Sequence, residues 1–203
     1  NIVIENKYHL SSTKVLAGIC ALLKIDENRI SELLTQIMDF IKLRFKNMLL
    51  DQGVRYDIID SVLQNTDVSD DLFDLYLKIM AMKNFVTKAE AADLIQASVR
   101  VNNLCSKLEN ENIISERLLQ APAEQELYKQ VILVDKEIIP ALVKYDYATV
   151  LQLAEKMTVS VNKFFDDVMV MDKDEAIKNN RLALLSQVRG IVNAVGNLSL
   201  LVG

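Results

Sequence analysis

Apolar residues recur along this chain at steps of three and four, and period-two alternation is absent throughout. That periodicity predicts helices and no sheet. The longest stripe lies near the end, where Ile177, Leu184, Leu185, Val188, Ile191, Val192 and Val195 follow one helical face for roughly eight turns. Asp172, with Lys173-Asp174-Glu175 after it, predicts the helix start, because an acceptor followed by acids suits the free N–H groups and the positive end of the dipole. Arg181 falls on this stripe. A charge on an apolar stripe needs a partner, so it is either a structural ion pair or a guanidinium reaching outward to RNA.

Earlier elements follow the same logic. Residues 1–10 read as an extended entry, and Ser11 or Ser12 caps a short helix through Leu23. Asp26 opens a long helix carrying Ile30, Leu33, Leu34, Ile37, Phe40, Ile41, Phe45 and Met48, with Gly53 as its stop. Val54 to Leu63 forms a short helix, and the polar stretch Gln64 to Ser69 marks a boundary. Ser69 caps a helix ending near Phe85, and Thr87 with Glu90 opens another from Lys88 to about Leu108. In that helix Asp93, Gln96, Arg100, Asn103 and Lys107 share one polar stripe. Asn110 to Gln120 is a linker, Pro122 suits a first turn, and Pro140 should kink or end that helix near Ile139. Asp146 caps a last-but-one helix from Tyr147 to about Val170, with Phe164, Phe165, Val168 and Met169 in the core.

Composition supports a helical globule. Of 203 residues 51% are apolar, with two prolines and five glycines. No apolar run approaches the ~18–20 residues of a membrane span, and no signal peptide is visible. A chain opening on Asn1 reads as a segment of a longer polypeptide. Cys20 and Cys105 lack metal-ligand spacing and read as buried free thiols in a reducing compartment.

A net charge of −5 argues against a non-specific nucleic-acid binder. Yet Lys78, Lys83, Lys88, Arg100 and Lys107 face only Glu90 and Asp93 in one 30-residue stretch, a local balance of +3. Catalytic machinery is missing. His9 is the single histidine and leaves no base for a nucleophile. It reads as a surface or linker residue. No glycine-rich phosphate loop or zinc spacing occurs. Asp70-Asp71 and Asp166-Asp167 are chain neighbours, and neighbours on a helix do not converge on one substrate.

Phe164-Phe165-Asp166-Asp167-Val168-Met169-Val170-Met171, followed by Asn180-Arg181-Leu182-Ala183-Leu184-Leu185, Val188-Arg189 and Leu198-Ser199-Leu200-Leu201, resembles the C-terminal region of the beta subunit of bacterial glycyl-tRNA synthetase. Arg100-Val101-Asn102-Asn103-Leu104, Ala121-Pro122-Ala123-Glu124 and Asp51 to Asp57 are similar to further strings of that family. The family commonly carries a lysine before that arginine, where this chain has Val99. The arginyl-tRNA synthetase anticodon domain has a looser form of the terminal pattern.

The resemblance implies an all-α, multi-helix bundle: a DALR-like anticodon-binding domain over residues 67–203, preceded over residues 1–66 by the last helices of a helical HD-like domain. It implies a part of glycine–tRNA ligase, an ATP-using enzyme whose alpha subunit carries the aminoacylation site, with this segment non-catalytic and without a cofactor of its own. The implied partners are the tRNA for glycine and the alpha subunit, with no membrane and no DNA, in the cytoplasm. Glycine codons begin with two guanines, so the anticodon presents two cytosines. A reader of cytosine combines acceptors with Arg, Lys or Asn donors. Arg100, Asn103 and Lys107, with Lys83 and Lys88 near in sequence, are the first candidates to touch RNA. Lys163, Lys178, Arg181 and Arg189 are the second. Two other readings fit the residues: an arginyl-type anticodon domain, and a helical protein-interaction module that binds no RNA.

Overall fold

Helix starts in this protein are set by short acidic or hydroxyl side chains that take up the first free N–H groups. The computed structural model describes residues 2–65, 70–105 and 113–201. Ser11 accepts from Lys14 N at 3.1 Å to open α2 (Ser12–Leu22), and Asp26 accepts from Asn28 N at 2.9 Å to open α3 (Glu27–Asp51). Asp146 opens α8 (Tyr147–Lys156) through Thr149 N at 3.1 Å. A one-turn helix, α1 (Ile2–Glu5), precedes them where an extended entry was expected. The remaining helices are α4 (Tyr56–Leu63), α5 (Leu72–Phe85), α6 (Ala91–Cys105), α7 (Pro122–Val143), α9 (Thr158–Asp167) and α10 (Glu175–Val192). Single 3-10 turns lie at Glu116–Leu118 and Leu198–Leu200. Among the described residues all regular structure is helical.

Several boundaries differ from the sequence reading. Asp71 caps α5, accepting from Phe73 N at 2.9 Å and Asp74 N at 3.1 Å; Ser69 lies outside the described residues. Thr87 does not open α6. Its hydroxyl donates back to the Asn84 carbonyl at 2.8 Å, closing the helix before it. Pro140 does not end α7, which runs on to Val143. The proline sits on the exposed side, where the carbonyl it orphans can turn to water, and buried Ile138 and Ala141 hold the last turn down. The expected helix from Tyr147 to Val170 breaks at Met157, and the chain from Val168 is extended. There Val168 and Val170 are buried while Met169 and Met171 point outward, a brief alternation the helical reading overlooked. Met169 is therefore not core. Asp174, not Asp172, caps α10, and that helix is 18 residues long rather than eight turns.

Packing is organised around α10. Residues 180 to 185 are buried without interruption, so this half of the helix is enclosed on all sides rather than along one stripe. It packs against α6, α7 and α8, and Asn180 ties it to the backbone of Ser115, accepting from N at 2.7 Å and donating to O at 3.1 Å. After α10 the chain turns back at Asn193 to Asn197 and wedges between α4 and α6. Asn197 N donates to Ser61 O at 2.7 Å. A Cβ on Gly196 would stand 3.0 Å from that same carbonyl, so a side chain there would crowd the backbone of α4. One contiguous apolar core runs from Phe45 to Leu201, and it includes α4 as well as the helices after it. The α2–α3 hairpin lies at the margin and leaves Leu22, Leu23, Phe40 and Leu43 exposed.

Candidate nucleic-acid interface

The amphipathic register of α6 separates its two faces cleanly. Leu94, Ala97, Val101 and Cys105 are buried against the bundle, while Asp93, Gln96, Arg100 and Asn103 are exposed. Between them, Ser98 and Asn102 enter a polar knot with the C-terminal turn: Asn193 Nδ2 donates to Asn102 Oδ1 at 3.0 Å, and Asn102 Nδ2 donates to Ser98 Oγ at 3.1 Å. This knot fixes the rotation of α6 and hence the direction in which Arg100 points.

Arg100 does not extend freely into water. Its guanidinium lies over the ring of Phe165 on α9, 4.3 Å from the centroid, a cation–π geometry. Phe165 is half-buried and packed on the core, beside Phe164, which is fully buried. Next along α9, Asp166 places Oδ1 3.9 Å from Arg100 Nη2. The side chains are 44% and 72% exposed, so the pair stands in solvent. Lys163 is exposed one turn earlier on α9, on the side shared with Asp166 and Asp167.

Arg181 is placed differently. Its side chain is 8% exposed, and its Nε donates to Glu124, which has no exposed surface at all. Nη1 donates to Asp172 Oδ2 at 2.7 Å and to the Met169 carbonyl at 2.9 Å. Glu124 in turn accepts from Ala121 N at 2.8 Å, closing the first turn of α7. Burial alone would lower the guanidinium pKa, but the Glu124 and Asp172 bonds outweigh it and hold the charge on. The Asp172 carboxyl lies below the usual range because it accepts from Asp174 N and then from Arg181. This side chain joins α7, α10 and the extended segment between α9 and α10, and it does not face an external ligand.

The other cations scatter. Lys178 pairs with Glu175 at 2.7 Å on the first turn of α10. Arg189 is exposed at the far end of that helix; burial pushes the Cys105 thiol up to about 11, and the Arg189 charge offsets part of that rise. Lys88 is exposed just before α6, and Lys83 is half-buried in the last turn of α5. Lys107 lies outside the described residues. The structure thus joins Arg100, Asn103 and Lys163 on the exposed α6–α9 face and sets Arg181 apart. Phe165 and Asp166 were not among the expected site residues, because nothing in the local sequence shows that Arg100, 65 and 66 residues upstream, meets them.

His9 is also less isolated than its sequence neighbours suggest. Its Nδ1 is 2.9 Å from Asp71 Oδ2, and its ring stacks on Tyr145 at 4.0 Å. Among the described residues no cluster of His, Cys, Asp or Glu could hold a metal ion, and no helix is long and apolar enough to cross a membrane.

The family model for the DALR anticodon binding domain matches residues 94–199, just over half of the chain. The chain belongs to the DALR anticodon-binding domain family. The DALR match begins in the first turn of α6 and closes on the C-terminal 3-10 turn, so it takes in Arg100, Phe165, Asp166 and Arg181 and leaves out Lys83 and Lys88. The glycine–tRNA ligase beta subunit of Clostridioides difficile is 38% identical over 171 residues, covering 84% of this chain and 24% of that protein. That of Desulforamulus reducens is 34% identical over 206 residues, covering all of this chain and 29% of that protein. That of Shewanella pealeana is 36% identical over 168 residues, covering 82% and 24%. The chain therefore spans about a quarter of the length of the curated relatives it matches.

Proposed function

We propose that this chain recognises the anticodon of a glycine tRNA as the C-terminal part of a glycine–tRNA ligase beta subunit. In this reading the whole enzyme uses ATP to join glycine to its tRNA in the cytoplasm. An alpha subunit supplies the aminoacylation site, and the segment described here performs no chemistry. Residues 67–203 form the anticodon-binding unit, and residues 1–66 are the end of a preceding helical domain that α4 joins to it through shared core. The observation that carries the proposal is Arg100: an exposed guanidinium seated over the Phe165 ring, on the polar face of the helix that opens the DALR match. Anticodon bases are unstacked and readable on their edges, so a few oriented donors and acceptors suffice where a broad basic face would serve only phosphates. That requirement is compatible with a net charge of −5. Asn103 and Lys163 extend the surface, with Lys88, Lys83, Lys107, Lys178 and Arg189 as phosphate contacts around it.

The test is binding of glycine tRNA, and of the same tRNA with both anticodon cytosines replaced, across a salt series. A loss of affinity on replacement with a shallow salt slope supports base reading. Equal binding that vanishes as salt rises refutes it. A protein-contacting role draws on a separate observation. A groove of about 940 Å³ lined by Ile2, Phe40, Ile41, Phe45, Met48 and Leu72 adjoins the exposed apolar residues of α3. A subunit that must meet an alpha partner can carry both surfaces.

A further inference from the structure

Asp166 is an unexpected neighbour for an RNA-facing arginine, since a carboxylate repels phosphate. The fold does not explain it. Asp166 is exposed, caps no helix, and among the described residues has Arg100 as its charged partner. An exposed pair of this kind contributes little to stability. The separation also matters. At 3.9 Å, Nη2 and Oδ1 attract one another but are too far apart for a direct hydrogen bond. Each keeps donors or acceptors free for a third group lying against both.

Cytosine presents an amino donor beside a ring acceptor and a carbonyl acceptor. A carboxylate next to a guanidinium presents the complementary order, an acceptor beside donors. Aspartate accepting from the cytosine amino group is a recognised pairing by hydrogen-bond geometry. The Phe165 ring restrains the guanidinium, because a cation seated 4.3 Å from the ring centroid has less freedom to lose when a base arrives. Uracil would place a carbonyl against the carboxylate, leaving two acceptors facing each other and a buried polar group unpaired.

We propose that Asp166 and Arg100 form one base-reading unit that selects cytosine over uracil at one anticodon position. Asp166 accepts from the exocyclic amino group and Arg100 donates to the adjacent ring nitrogen or carbonyl. This assignment rests on the anticodon-reading function proposed above and adds Asp166 as its specificity-determining residue.

The experiment uses the complete synthetase, both subunits, and three glycine tRNA transcripts: the natural sequence and two carrying a single cytosine-to-uracil change, one at each anticodon cytosine. Dissociation constants are measured for the wild-type enzyme and for Asp166→Asn, Asp166→Glu and Arg100→Lys. The wild-type enzyme is expected to disfavour uracil by on the order of tenfold or more at each position. Asp166→Asn, whose amide can donate to the uracil carbonyl, should bring the ratio near unity at one position and leave the other intact. Asp166→Glu, keeping the carboxylate, should retain a preference for cytosine at that position. Arg100→Lys should weaken binding of the natural transcript while the salt slope stays the same, because charge is kept and the fork is lost. If the wild-type enzyme ignores both replacements, the anticodon-reading function itself falls. If it discriminates and Asp166→Asn discriminates equally well at both positions, the function stands and the Asp166 assignment falls. A uniform loss with all three transcripts likewise overturns the assignment, since it marks a structural role.

Discussion

Arg100 and Arg181 lie on helices packed directly against each other, and they use the same side chain in opposite ways. Arg181 is enclosed, with Nε committed to Glu124 and Nη1 to Asp172 and the Met169 carbonyl. Arg100 is held loosely, over the Phe165 ring and at 3.9 Å from Asp166, with its side chain 44% exposed. Burial costs a guanidinium its hydration, so a buried arginine is tolerated only where the fold supplies acceptors. A surface arginine bears no such cost and is free to take a ligand. The contrast teaches that position on a recognisable motif does not by itself assign a role: Arg181 sits in the more family-like string, yet the fold buries it and occupies its Nε and Nη1.

The largest effect follows from breaking the buried partner. Arg181→Met leaves Glu124 charged with no exposed surface and frees the segment between α9 and α10. The expected loss is about 3–5 kcal/mol, read as a lower urea midpoint with unchanged slope. The double variant Arg181→Met, Glu124→Gln should recover a large part of that loss, because it removes the unpaired charge rather than stranding it. A single variant no worse than a surface change would mean that Arg181 is not a structural tie, and would return it to the list of RNA contacts.

Gly196→Ala is next. The turn after α10 is clamped against α4, and the added methyl would meet Ser61 O and Val62 Cγ2, each at 3.0 Å. The obstruction includes backbone, which cannot swing aside, so a loss of about 1–3 kcal/mol is expected in thermal or urea unfolding. Gly190, with nothing within 4 Å of the corresponding position, provides the control. Its alanine variant should be neutral or slightly stabilising, since alanine favours helix.

Much of this architecture was legible in the sequence, and the reasons are local. Ser11, Asp26 and Asp146 announced their helices because capping involves residues only two or three apart. Gly53 announced a stop because its φ of +73° suits a residue without Cβ. Lys24 and Tyr145 adopt similar backbone angles at the ends of α2 and α7 without any such signal. Tyr145 is braced there by stacking on His9. The extended run at Val168 was hidden because the contact made there is tertiary: Arg181 reaches across to the Met169 carbonyl, which lies in that run. The polar stripe of α6 was visible from spacing alone. Its meeting with Phe165 and Asp166 was not, since contacts between distant segments leave no periodic trace.

Acid should act selectively on the ties around Arg181 and the helix starts. Asp172 is held below the usual carboxylate range by Asp174 N and then by Arg181. Asp146 is held low by the Thr149 hydroxyl and N–H. Burial pushes Asp70 upward, but Ser11 and Thr13 outweigh it and leave it low as well. A carboxyl depressed in the folded state stabilises fully above its unfolded pKa, and that contribution fades as pH falls through the folded value. The melting temperature should therefore be flat from neutral pH down to the ordinary carboxylate range and decline below it. Arg181→Met should make that decline shallower. An unchanged acid limb would mean that Asp172 draws its depression from the backbone alone.

The smallest expected effect on stability is at Arg100. Its ion pair with Asp166 is exposed and long, and its contact with Phe165 is partly solvated, so the two together contribute about 1 kcal/mol at most. Arg100→Ala should shift the melting temperature by no more than a few degrees, and added salt should shrink the difference further, because screening weakens the exposed pair in the parent. Binding of glycine tRNA should move far more than stability, by about tenfold in dissociation constant if one base contact is lost. That dissociation of effects is what separates a residue the fold consumes from one it presents. A variant that lost stability and binding in proportion would place Arg100 with Arg181, as part of the scaffold, and the α6–α9 face would cease to be the reading surface.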